Sequence, residues 1–145
     1  MKKLLTLFFI LLCSVHATDK IQEGKEYPIE KIREQNKVII KMVVEEISKQ
    51  LPQKVDNYTT MTKIADENLT LVYSFEINTG AKSDEAVRKE DKPRMEKSVT
   101  KGVCQSSKRF LDAGISLNYT YISKSSQKTL FSFLLTQKIC KELNL

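Results

Sequence analysis

The stretch LTLVYSFEI, residues 69–77, decides the fold. Leu69, Leu71, Tyr73, Phe75 and Ile77 alternate with Thr70, Val72, Ser74 and Glu76. A period of two marks a half-buried strand, with one face on a core and one toward water. Just upstream, the threonine-rich NYTTMTKI (57–64) predicts its partner strand. Between the two, ADEN (65–68) supplies Asp and Asn, residues suited to a turn. The three together predict an antiparallel hairpin.

Further upstream the period changes. In PIEKIREQNKVIIKMVVEEISKQLP (28–52), Ile32, Ile39, Val43, Ile47 and Leu51 form one stripe, widened by Ile40 and Val44. That spacing predicts an amphipathic helix. Pro28 suits its start and Pro52 stops it. The many β-branched residues give it a low intrinsic propensity, so packing must hold it.

Downstream, NTGAKSDEAVRKEDKP (78–93) is a polar connection in which Ser83 can cap a helical turn. A second helix is expected from about Pro93, with Met95, Val99 and Val103 four apart. It runs, with or without a break, to RFLDAG, where Gly114 is the stop. ISLNYTYIS (115–123) alternates again, placing Ile115, Leu117, Tyr119 and Tyr121 on one core face. The loop KSSQK precedes TLFSFLLTQKIC (129–140). There Phe131, Phe133 and Leu135 lie on one face and Leu130 and Leu134 on the other, which predicts a central or well-covered strand. The order is α-β-β-α-β-β. It predicts an α+β fold: an antiparallel sheet of about four strands in two hairpins, two main helices and one disulfide.

The first seventeen residues, MKKLLTLFFILLCSVHA, read as a secretory signal peptide. Lys2 and Lys3 precede a short apolar run, and Val15-His16-Ala17 offers a cleavage site. The run is shorter than the roughly 20 residues a membrane span needs. A lipoprotein leader acylated at Cys13 is the alternative, which would make the protein an outer-membrane lipoprotein. Leu12 stands where such a leader carries a small residue. The division is therefore a signal peptide at 1–17, a polar, mobile lead-in at 18–27 and a single α+β domain at 28–145, with the periplasm as destination. Cleavage leaves 22 of the 24 basic residues and all 18 acidic ones. They alternate along the chain (EKIREQNK, VRKEDKPRMEK), which describes a solvated mixed surface rather than a nucleic-acid groove.

Loss of the leader removes His16, the one histidine. Histidine-activated nucleophiles and histidine-containing zinc sites go with it, and two cysteines alone do not close a zinc site. There is no phosphate-cradling glycine motif, so no cofactor and no metal are expected. The acidic pairs Glu45-Glu46, Asp66-Glu67, Asp84-Glu85 and Glu90-Asp91 lie in highly charged, exposed segments. No catalytic residue is assigned and no enzyme is expected. Cys104 and Cys140 are the two cysteines of the mature chain. In an exported protein such a pair forms a disulfide, and their wide spacing does not suit a redox CxxC site. Asn68 in DENLT has an acid two residues before it and Thr70 two after it, the extended pattern of bacterial N-glycosylation; Asn57 and Asn118 lack the acid. Tyr58, Thr60 and Thr62 mark an edge able to accept a peptide strand.

These residues carry a resemblance. QLPQKVDNYTTM, LTLVYSFEI, VCQSSKRFLDAGISLNYTYIS and TLFSFLLTQKIC resemble a group of small, uncharacterised exported bacterial proteins. Its members share LPxxVDxxT, a cysteine helix, a YxY strand and a closing cysteine. More loosely, the chain resembles the disulfide-bearing, sheet-type pilotins of type II secretion. That resemblance implies a lipoprotein that binds a secretin peptide. The reading is a non-catalytic periplasmic binding or accessory protein that recognises a protein or peptide in envelope assembly or secretion. The alternative is a small inhibitor of a lysozyme-like enzyme, acting through a protruding loop at 78–92.

Overall fold

A computed structural model describes residues 28–145. The leader, Cys13 and the polar lead-in lie outside the described residues. Helix α1 (Ile29–Ser48) is followed by three strands: β1 (Gln53–Lys54), β2 (Thr59–Asp66) and β3 (Thr70–Ile77). A helical segment then begins at α2 (Asp84–Ala86), passes through a π-helical turn (Val87–Asp91) and continues as α3 (Lys92–Ser106). After α4 (Lys108–Asp112) come β4 (Ser116–Ser123), β5 (Thr129–Leu135) and α5 (Gln137–Glu142).

Among the described residues the sheet has five strands in the order β1-β2-β3-β4-β5. It is mixed, not antiparallel: β2–β3 and β4–β5 are the two expected hairpins, but β3 and β4 run parallel, with Tyr73 beside Tyr119 and Phe75 beside Tyr121. The cause is the helical connection between them. It returns the chain to the end where β3 began, and a strand entered from that end is parallel to its neighbour. The fifth strand, β1, pairs only Gln53 with Met61 and Lys54 with Thr60. Two residues are too few to show a period.

The alternation in β3 and β4 places the core as expected. Leu71, Phe75, Ile77, Leu117 and Tyr121 are buried. Tyr73 stacks on Tyr119 at 5.0 Å and Phe75 on Tyr121 at 5.1 Å, and Phe131 and Phe133 extend the aromatic row onto β5. A bulge at Thr62 shifts the parity of β2, so that both Met61 and Ile64 face the core. The helices pack on this side. Val72 and Ile122, on the opposite side, belong to neither hydrophobic cluster.

β5 is an edge strand, not a central one. A bulge in its pairing with β4 accommodates Leu130, which is buried, while Leu134 on the open side is 51% exposed. Its apolar residues on both faces therefore do not signal two covers. The chain also leaves the strand earlier than expected. The Thr136 hydroxyl accepts the Ile139 N–H and starts α5, so Cys140 lies in a helix.

Two further corrections concern helices. The buried line of α1 centres on Asn36 and Ile40, whereas Ile32 and Ile39 are 40% and 43% exposed. Ser83 caps a helical turn as expected, accepting the Ala86 N–H, but the helix continues through residues 84–91 in place of a polar loop, and Val87 is buried. The connection at 78–92 is thus not a protruding loop, which removes the feature behind the inhibitor alternative. The second helix breaks at Ser107 and, as expected, ends at Gly114, whose φ is +84°. Gly114 and Ile115 donate to the carbonyls of Leu111 and Phe110, a left-handed cap that suits glycine.

The Cys104–Cys140 disulfide ties α3 to α5, with a Cα separation of 5.6 Å. Both cysteines are buried in the cluster built around Ile40, Leu71 and Leu117.

Candidate functional site

The stretch LPQKVDNYT, residues 51–59, builds a turn. Asp56 Oδ1 accepts the N–H groups of Tyr58 and Thr59, each at 2.7 Å. Those bonds, led by that from Tyr58, hold its carboxyl below the usual range, against the smaller opposing effect of burial. The Val55 and Asp56 N–H groups donate to the Thr59 carbonyl and close the loop. The motif therefore fixes where β2 begins. Tyr58 projects from this turn and is 69% exposed. Thr60 pairs with Lys54 of β1 and Glu76 of β3. Thr62 sits in the bulge, its hydroxyl 3.4 Å from the Ser74 carbonyl. Thr60 therefore lies between two strands and not on an open edge, and the three residues have three different environments.

Among the described residues, Tyr58 walls one of two grooves of about 620 Å³ each. Ile77, Val87, Met95 and Val99 give this first groove an apolar component. Lys82 lies 3.1 Å from both Glu90 and Asp91, and Arg94 lies 3.3 Å from Asp91. Lys82, then Arg94, hold the Asp91 carboxyl low, and hydrogen bonds to Glu90 and Asp91 raise the Lys82 ammonium. The rim is thus internally neutralised.

The second groove lies between α3, α5 and β5. Leu134, Leu143 and Leu145 line it, and all three are exposed. Lys97 and Lys101 of α3 line it too, and neither forms an ion pair among the described residues. Arg88, at one end of β5, donates from Nη2 to the Thr129 carbonyl (2.9 Å) and from Nε to that of Leu130 (3.2 Å). Nothing in the sequence distinguishes Arg88 from other surface arginines.

The buried polar side chains among the described residues are Asn36, Thr59, Thr100 and Ser123; none carries a carboxylate. Asp66, Glu67, Glu45 and Glu46 are exposed. Among the described residues no three His, Cys, Asp or Glu side chains group as metal ligands, and no helix is long and apolar enough to cross a membrane. Asn68 is exposed at the β2–β3 turn. Asn68 and Leu69 both have positive φ, and Glu67 and Thr70 exchange backbone hydrogen bonds, the geometry of a tight two-residue hairpin. Asn118 lies within β4, where its Oδ1 accepts from Ser132 Oγ at 2.6 Å.

Residues 34–131 match the family described as Domain of unknown function (DUF8479), and the chain belongs to that family. No curated protein matches the sequence. Three solved structures share the fold. One is a Pseudomonas aeruginosa protein provisionally described as secreted (14% identity, TM-score 0.65, 75% of this chain and 96% of that one). The second is EpsS, a type 2 secretion system pilotin of Vibrio vulnificus (12%, 0.64, 77% and 96%). The third is AspS, the type II secretion system pilotin of Vibrio cholerae (15%, 0.56, 76% and 96%).

Proposed function

We propose that this member of the DUF8479 family is a non-catalytic accessory protein of the cell envelope. It is exported by a cleaved leader and recognises a segment of a partner protein in secretion or envelope assembly. The observation that carries this reading is the fold shared with two secretion pilotins, over about three quarters of this chain and nearly all of theirs. The similarity to a protein described as secreted and the buried disulfide support an oxidising, extracytoplasmic setting. No nucleic acid, metal or cofactor enters the reading. On the β2 side Tyr58 supplies the partner contact, since it is exposed and borders a groove, with Thr60 and Thr62 behind it.

The test is deletion of the gene in its own host, with envelope and secreted proteins quantified by mass spectrometry. Loss of an assembled envelope or secretion complex, restored by the gene in trans, is expected. Unchanged envelope and secreted proteomes contradict the reading.

A further inference from the structure

We propose that the outer edge of β5, with the groove beside it, takes an extended, acid-bearing peptide segment as a sixth strand. The inference rests on the partner-recognition reading above and assigns to it a surface separate from the Tyr58 groove. β5 is last in the strand order, so its outer edge has no strand partner among the described residues. Arg88 occupies the Leu130 carbonyl from outside the sheet. Strand geometry alternates, so Ser132 and Leu134 present their backbone groups on that same outer side. The 3.0 Å contact between Thr120 Oγ1 and Ser132 Oγ fits the close approach of a pair whose backbone bonds point away from each other.

An open edge is a template for another strand, and proteins ordinarily blunt one. Here Arg88 blunts only the start, at Thr129 and Leu130. The remainder, Phe131 to Leu135, is about five residues or roughly 17 Å long. A peptide strand placed there satisfies the outward groups of Ser132 and Leu134. Its alternate side chains enter the groove against Leu134, Ile139, Leu143 and Leu145.

Charge selects the occupant. Lys97 and Lys101 are one helical turn apart on α3 and line the same groove, where like charges repel. Glu96 is the one acidic side chain in the lining. An acid on the incoming segment relieves the lysine pair. A second copy of this chain does not: two-fold pairing of β5 edges sets both lysine pairs along one seam. The partner is therefore an apolar, acid-bearing segment of another protein.

The test uses the mature protein and three capped synthetic decapeptides: alternating Leu–Asp, alternating Leu–Lys, and Leu–Asp with a central proline. Backbone amide shifts are followed by NMR. The Leu–Asp peptide is expected to shift the amides of Ser132 and Leu134 and to bind at least tenfold tighter than Leu–Lys; the proline form should lose binding. Leu134→Pro removes an outward donor without touching the β4 ladder and should abolish binding. Should that variant fail to fold, the Lys97→Glu/Lys101→Glu double variant should invert the preference between acidic and basic peptides. Equal binding of both signs, shifts confined to Tyr58 and Met95, no binding, or dimerisation through β5 would each overturn the proposal. If the gene deletion disrupts a complex while the peptide experiment fails, partner recognition stands and the β5 surface is wrong.

Discussion

Asn36 of α1 donates from Nδ2 to the backbone carbonyl of Ala113, 2.7 Å away and 77 residues later in the chain. Ala113 is the residue that ends α4, immediately before Gly114 turns the chain into β4. The bond fastens the first helix to the start of the fourth strand, and it explains a buried amide in the middle of an apolar stripe. Asn36→Ala should cost about 1–3 kcal/mol, because it leaves a partly buried carbonyl without its donor. Asn36→Asp should be worse at neutral pH, where a carboxylate faces that oxygen, and should recover in acid, where the protonated form donates. Urea unfolding from pH 3 to 7 reads both. An Asp variant whose stability is flat across that range would contradict the role given to Asn36.

The Cys104–Cys140 bond closes a loop with a sequence separation of 36 residues. Constraining an unfolded loop of that size contributes about 4 kcal/mol, a large part of an ordinary domain's stability. The Cys104→Ala/Cys140→Ala double variant should lose roughly that amount in urea. A loss below about 1 kcal/mol would mean that the stacked sheet and α1 suffice without the staple.

Three core-face tyrosines, Tyr121 buried and Tyr73 and Tyr119 half-buried, are expected to make the protein alkali-sensitive. Burial pushes up the Tyr73 phenol and, more strongly, that of Tyr119, to which Tyr73 and Tyr121 add. Burial, then the Asp56 charge, pushes Tyr121 up to about 12. In the unfolded chain tyrosine ionises near ~10. Between those values the native state holds protons that the unfolded chain has released, so stability falls as pH rises. The contribution is intact below about pH 10 and disappears as pH passes through the native values. Tyr121→Phe should make the urea midpoint fall less steeply over that window. Identical slopes for the variant and the wild type would reject this assignment.

Asn68 tests both export and modification. We propose it as a glycan acceptor: it is exposed at a hairpin tip, with Asp66 and Thr70 at the required offsets. In a host that N-glycosylates its exported proteins, intact-mass measurement should show a chain beginning at Thr18 and carrying a glycan that Asn68→Gln removes. A shift that survives Asn68→Gln, or unmodified Asn68 in such a host, counts against the site. A lipidated Cys13 at the N-terminus overturns the cleavage expected after Ala17.

Local periodicity made much of the fold legible. The two hairpins, the helix from residue 29 and the Gly114 stop all follow from spacing and from residues with special backbone demands. Strand direction did not follow, because β3 and β4 meet through long-range packing that no local pattern encodes. The edge position of β5 was hidden for a related reason: Leu130 is buried at a bulge and Leu134 lines a groove, so apolar residues on both sides imitated a covered strand. Tyr58 stood out because an aromatic among threonines is conspicuous. Arg88 did not, because its partners are backbone carbonyls about forty residues away.

Affinity capture tests the account most directly. The mature, disulfide-bonded chain is immobilised, exposed to detergent-solubilised envelope extract of its own host, and the retained proteins are identified by mass spectrometry. The account predicts enrichment of a subunit of a secretion or envelope-assembly complex, reduced at least tenfold on the Lys97→Glu/Lys101→Glu surface. Retention of a muramidase, or of no envelope protein above the background of an unrelated disulfide-bonded domain, would contradict it.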